Sequence, residues 1–255
     1  MKRLIVVFAA SCLLLAGVGQ AHAGLYAASA DAENTVTVSG SWSVSHYKAD
    51  PGCYSGMGDS PALSDYKSHA ESNTPVNLST AVSDATGSAA SAITVSGTTI
   101  DIDADADVHD YLDSDGRWAI GYSAGGANWL YSSAAQSVTV TCDYSYALDL
   151  SQADPLDSRA YAIIYVGFWD TGLMLSEKDG FVDVGGFLKK EIEINTAGTT
   201  DSGSGTTSWD LNVSSGYCSF WAQADAMGYT LPEPATLGLL GLGLAAAFAR
   251  RRRKR

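Results

Sequence analysis

Seven aspartates fall between positions 101 and 115, and their spacing is the first feature of the chain that could do chemistry. Asp101, Asp103, Asp105 and Asp107 alternate with Ile100, Ile102, Ala104, Ala106 and Val108, and Asp110, Asp113 and Asp115-Gly116 follow. On a strand, a period of two sends the four carboxylates to one face and the apolar set to the other. Hard cations bind several carboxylate oxygens at once, so calcium is the ion this stretch would take, with Asp110, Asp113 and Asp115 as candidate ligands. An EF-hand loop does not fit. Counted from Asp101, alanine stands at the sixth place, where glycine makes the turn, and Leu112 stands at the twelfth. Asp113-Ser114-Asp115-Gly116 has the form of the back half of an acidic calcium loop, with Tyr111 in place of its first aspartate. A solvated strand face and turn explains the same residues, and they require no metal or cofactor.

Gly121-Tyr122-Ser123-Ala124-Gly125 matches the nucleophile elbow of hydrolases and follows the apolar Trp118-Ala119-Ile120. That fold orders its triad serine, acid, histidine, and no histidine follows Ser123. His46, His69 and His109 all lie upstream without metal-ligand spacing, so each reads as an isolated polar or core residue. No glycine-rich loop follows a strand and opens a helix, which removes the usual phosphate cradle. The chain is therefore expected not to be an enzyme. Trp118, Trp129, Trp169, Trp209 and Trp221 could stack on sugars where exposed, although most aromatics of an all-β domain belong to its core.

The elements that position these residues read as strands. Residues 36–44, 91–102 and 136–150 alternate apolar with small polar side chains, and residues 181–194 and 208–226 supply further strands. The second of those two regions is broken at Ser214-Ser215-Gly216 and the first at Gly185-Gly186. Residues 161–169 are nearly all apolar, which fits a strand buried on both faces or a short helix. Residues 196–207, rich in Gly, Ser and Thr, read as a loop, and residues 217–226 alternate and should close a sheet. Many short strands with polar turns predict an all-β fold: a single β-sandwich, in a jelly-roll-like form, over residues 24–230.

Charge is unevenly placed. The chain carries 15 cations and 28 acids, a net of −13. Eight of the cations and only one acid, Glu233, lie in the two ends, which leaves seven cations against 27 acids between them, a net of −20. Such a domain is soluble and self-repelling, and it excludes nucleic acid as a partner.

The ends explain the displaced cations. Lys2-Arg3, an apolar stretch from Leu4 to Val18 and the small residues Ala21 and Ala23 make the three parts of a secretory signal peptide over residues 1–23, with cleavage after Ala23. Cys12 leaves with it, so Cys53, Cys142 and Cys218 remain in an oxidising compartment. One disulfide and one free thiol are expected, with three pairings open. At the other end, Pro232-Glu233-Pro234 cannot be helical, because each proline fixes φ and biases the preceding residue toward extended backbone. Residues 235–249 are uncharged and apolar. As a helix of about 22 Å they are short for a ~30 Å hydrocarbon core. Arg250, Arg251, Arg252, Arg253, Lys254 and Arg255 then hold the end on the cytoplasmic side.

Residues 231–255 resemble the PEP-CTERM sorting signal in all three parts and in their order. The resemblance implies an exported protein of a Gram-negative, exopolysaccharide-producing bacterium. An exosortase-type membrane protease would process it, the C-terminal helix holding the precursor in the inner membrane before release to the cell surface or matrix. The expected role is structural or adhesive in the envelope or biofilm, with exopolysaccharide as a candidate partner. A carbohydrate- or calcium-binding surface module is the alternative.

Overall fold

The computed structural model describes residues 26–57, 60–67, 69–84, 87–110, 117–152, 158–170 and 173–230. All secondary structure among them is strand, in two stacked antiparallel sheets, as the alternation predicts. The six-stranded sheet contains β1 (Tyr26–Val38), β6 (Val76–Asp84), β7 (Gly87–Ser96), β8 (Thr99–Asp110), β10 (Gln136–Asp149) and β14 (Thr200–Val213). Its order is β14-β10-β1-β8-β7-β6. The second sheet contains β3 (Tyr47–Met57), β4 (Ser60–Tyr66), β9 (Arg117–Ser132), β11 (Arg159–Trp169), β12 (Val182–Asp183), β13 (Leu188–Ile194) and β15 (Gly216–Thr230). Its order is β12-β13-β11-β15-β9-β3-β4, with the short β2 (Ser43–Val44) on β9 and β5 (His69–Ser72) on β3. From β8 onward the chain passes repeatedly from one sheet to the other, the connection pattern of jelly-roll folds. The expected C-terminal helix lies outside the described residues.

Several elements differ from the sequence reading. The alternation over residues 91–102 is two strands rather than one, because the chain reverses at Gly97, whose φ of +58° a β-branched neighbour could not take. Most of the expected loop at residues 196–207 is the first half of β14. Residues 161–169 form a strand, with Ala160, Ala162, Ile164, Val166 and Phe168 inward. The last strand, β15, does not close its sheet at an edge but lies near its middle, between β11 and β9.

The core is a wedge. Ala28, Ala30 and Ala32 on β1, Ala104 and Ala106 on β8, and Ala222, Ala224 and Ala226 on β15 are buried at one end. Val36, Val38, Ile100, Phe168, Leu130 and Phe220 fill the other. With only methyl groups between them the sheets come close. A Cβ placed on Gly228 would stand 2.8 Å from the carbonyl oxygen of Ala28 on the opposite sheet. Two buried polar groups bridge the gap. Asn34, 1% exposed, donates through Nδ2 to the carbonyls of Tyr165 at 3.2 Å and Gln223 at 3.5 Å, and accepts from the Cys142 thiol at 3.1 Å. Ser91 donates to the carbonyl of Gly52 at 3.0 Å and shares a 2.9 Å hydrogen bond with Thr80.

Beyond β11 the chain covers the β10–β14 end of the wedge. Lys178 and Phe181 pair across a two-residue turn at Asp179-Gly180, both at positive φ, the geometry that Asp-Gly favours in a hairpin. The turn drives Phe181, 1% exposed, edge-on against Tyr144 and Trp209 at 5.8 and 5.6 Å.

The close approach makes Gly228 intolerant of any side chain. Gly228→Ala is expected to cost about 1–3 kcal/mol by overpacking against backbone. A urea unfolding midpoint equal to that of the unchanged protein would show that the sheets separate freely there.

Candidate functional site

The alternation at residues 100–108 is realised as drawn. Ile100, Ile102, Ala104, Ala106 and Val108 are 0–2% exposed in the core, and Asp101, Asp103, Asp105 and Asp107 line the outer face of the six-stranded sheet. The partner strand brings more acid to that face. Antiparallel pairing of β1 with β8 sets Asp31 opposite Asp105 and Glu33 opposite Asp103. Like charges directly opposite on adjacent strands repel.

Four acids on this face are bonded by hydroxyls rather than cations. Thr35 donates to Asp101 at 2.7 Å, Ser145 to Glu33 at 2.5 Å, Thr139 to Asp210 at 2.7 Å, and Thr206 to Asp143. Each is a cross-strand pair, and hydrogen bonds to an ionised acceptor are the strong ones. The described ion pairs, by contrast, lie on the outer face of the nine-stranded sheet: Lys48 with Asp50, Arg159 with Glu193, and Lys189 with Glu191.

The centre of the acidic face is the exception. Oδ1 of Asp31 is shielded from solvent and has no hydrogen-bond partner. Burial, reinforced by Asp103, Glu33 and Asp105, raises the Asp31 carboxyl from 3.8 to about 6. Asp103 is raised by burial, Glu33 and Asp101, and Asp105 by burial, Asp107 and Asp103. Carboxylate oxygens of Asp31, Glu33 and Asp103 lie within 4.8 Å of one another. Two oxygens on opposite sides of a calcium ion are about 4.6–5.2 Å apart, so this trio could share one hard cation.

The acidic trio is displaced from the ligands expected from sequence. Asp113 and Asp115 lie outside the described residues, and Asp110 is described only as the last position of β8. Asp31 and Glu33 were missed as partners of Asp103. Their signal is present in Ala28, Ala30, Asp31, Ala32 and Glu33, which repeat the same two-residue period. Ala21, Ala23, Pro232, Glu233, Pro234 and the basic cluster 250–255 also lie outside the described residues.

The remaining constellations do not assemble. Ser123 sits within the continuous strand β9, paired with Pro51 on β3 and Ala224 on β15, whereas an elbow needs a sharp turn from strand into helix. His46 contacts the Ser45 hydroxyl at 3.0 Å, and His69 and His109 are placed on β5 and β8. The expected disulfide is not formed: Cys53, Cys142 and Cys218 are buried and free. Cys53 and Cys218 pair with Gly121 and Leu130 of β9, nine residues apart along that strand. That separation is about 30 Å at strand rise, far beyond the 4.4–6.8 Å a disulfide spans. Cys142 lies on the other sheet with its thiol bonded to Asn34. Burial, then Asp143, pushes the Cys142 thiol up to about 12, and burial, then Asp170, does the same to Cys218.

Among the tryptophans, Trp209 is core and donates to the carbonyl of Ser176 at 2.8 Å, while Trp169 and Trp221 are part-exposed on the outer face of the nine-stranded sheet.

The sandwich and its acidic face thus define an all-β domain, and a separate signal lies beyond β15. The PEP-CTERM protein-sorting motif matches residues 230–254, so the chain carries that motif at its C-terminal end. The motif implies an exported protein sorted by exosortase, a membrane protein, and is consistent with a Gram-negative source. No curated protein matches the chain, and no solved structure matches it.

The acid cluster sets a pH dependence with a defined sign. Because the folded Asp31 carboxyl binds its proton at about 6 and the unfolded one near 3.8, the folded state holds more protons in that window. Stability from this group is full below the unfolded value and is lost as pH rises through about 6. Asp103, Asp105 and the part-exposed Asp225, also raised, act in the same direction. The melting temperature is therefore expected to rise as pH is lowered from about 7 to about 5, and Asp31→Asn with Asp103→Asn should flatten the rise. A melting temperature that falls over that range in the unchanged protein would contradict the assignment.

Proposed function

We propose that the chain is an exported, non-enzymatic protein of the cell surface or extracellular matrix, with a structural or adhesive role. The observation that supports it most strongly is the sorting motif at residues 230–254, directly after the final strand of the sandwich. In this reading the leader is removed after Ala23. The apolar run 235–249 holds the precursor in the inner membrane, with the cluster from Arg250 to Arg255 on the cytoplasmic side. Pro232 and Pro234 keep the segment beside the membrane extended, which is the form a protease cleaves. Exosortase removes the tail and frees an acidic, self-repelling sandwich to enter a hydrated matrix, where exopolysaccharide is the partner.

The spacing of Asp31, Glu33 and Asp103 favours a second reading, in which the acidic face takes up a divalent cation such as calcium. An ion shared by these carboxylates would replace the repulsion that raises them and would bridge the domain to other acidic polymers.

Two outcomes are expected. Glu233→Ala or Pro232→Ala should leave export intact but block tail removal, so that precursor accumulates in the inner membrane. Tail-tagged and ectodomain-tagged protein followed in membrane and surface fractions reads this out. Mutants that distribute like the unchanged protein would leave a plain membrane anchor. For the second reading, millimolar calcium should raise the melting temperature, and Asp31→Asn with Asp103→Asn should abolish the rise. An unchanged protein that ignores calcium leaves only a solvated face.

A further inference from the structure

The outer face of the nine-stranded sheet is unlike the acidic one, and its side chains are arranged in rows across the strands. In the first row Gly167 of β11 pairs with Trp221 of β15, which pairs in turn with Gly126 of β9. Glycine leaves room on both sides of the indole. On the Gly167 side the space is taken by rings. A Cβ there would meet Trp169 at 2.8 Å and Phe187 at 3.0 Å. Trp169 packs edge-on against Phe187 at 4.8 Å, and Phe187 lies 4.7 Å from Trp221. On the Gly126 side the strand neighbour brings no side chain against the indole.

One residue pair further along the strands, about 7 Å away, the row turns polar. Lys189, Tyr165 and Gln223 stand in register there, with Tyr165 still 6.3 Å from Trp221. Asp225 follows in the next row and accepts a 2.6 Å hydrogen bond from Gln223 Nε2. A carboxylate has about four acceptor sites, and this one is part-buried, where a hydrogen bond is strengthened by partial exclusion of water. The position of the polar row is fixed from inside the sandwich, because Asn34 binds the carbonyls of Tyr165 and Gln223.

We propose that Trp169, Phe187 and Trp221, with Tyr165, Gln223 and Asp225 beside them, bind a neutral polysaccharide lying across the strands. A sugar ring has an apolar face of C–H groups and an edge of hydroxyls, and it matches a row of rings flanked by an amide and a carboxylate. A protein partner fits less well, since interface cores are depleted of charge and here Lys189, Glu191 and Asp225 border the rings. An anionic polymer or lipid surface is disfavoured by the net of −20 between the two ends. The site gives the adhesive role a ligand class without depending on export: sugar binding with an unprocessed tail, or processing without sugar binding, would separate the two.

The full chain is titrated with cellohexaose, laminarihexaose, maltohexaose and mannohexaose, following tryptophan fluorescence and binding heat, with a polygalacturonate oligomer as the acidic comparator. At least one neutral sugar is expected to bind and the acidic one not. Trp221→Ala should weaken binding about tenfold or more. Gln223→Ala, which removes no core side chain, should weaken it severalfold while a circular-dichroism spectrum shows the strand fold retained. Asp103→Asn on the opposite sheet should leave it unaltered. Absence of binding across the neutral panel, or affinity unchanged in Gln223→Ala, overturns the proposal. A Trp221→Ala protein that folds and binds normally does the same.

Discussion

The close approach of the two sheets is the constraint from which the rest of the structure follows. Where alanines of β1, β8 and β15 face one another, the backbones are so near that Gly228 has room for no Cβ. A narrow interior holds no long side chain, so each alanine removes little apolar surface from water and the contact relies on dispersion between close-packed backbones. Narrowness also lets Asn34 and Ser91 reach carbonyls of the opposite sheet, which a layer of leucines would put out of range. Such buried polar groups fix one register of sheet on sheet, because any slip would leave them unpaired.

Fixing the interior in this way hands the differences to the two outer faces. On the six-stranded sheet, Ser and Thr hydroxyls absorb carboxylates by cross-strand hydrogen bonds, which lets the face carry acid with no lysine or arginine among its described outward residues. At Asp31, beside Glu33 and Asp103, this supply of hydroxyls runs out and one carboxylate oxygen is left without a partner. On the nine-stranded sheet the cations are paired and the rings cluster. One thin slab therefore presents an anionic surface and an aromatic one in opposite directions.

Some of this was legible in the sequence, for reasons that differ by residue. The period-two patterns at 100–108 and 136–150 are plain because one face is fully buried and the other is polar, and the tail is plain because proline, an uncharged run and arginines occur in fixed order. β14 was hidden. Its first half looks like a loop because Gly203 and Gly205 must be small where the rings of Tyr146 and Tyr144 lie across them, a reason that exists only in the folded pair of strands. The hairpin at Gly97 was hidden because apolar alternation resumes directly after a two-residue turn, and only its change of parity, from Ile93 and Val95 to Ile100 and Ile102, marks the reversal. The trio's membership was hidden because Asp31 and Asp103 are brought together by pairing 72 positions apart. The cysteines misled for the opposite reason: an oxidising compartment makes pairing plausible, but strand register holds the three thiols apart.

The central claim is that this sandwich is delivered to the surface and released from its sorting tail. The most direct test is the intact mass of the protein recovered from the surface of its native host. The account predicts a chain that begins at Gly24 and lacks the residues from Ala235 through the arginine cluster to Arg255, together with the mass of any attached group. Recovery of a surface protein whose mass still includes Arg250 to Arg255 would contradict it.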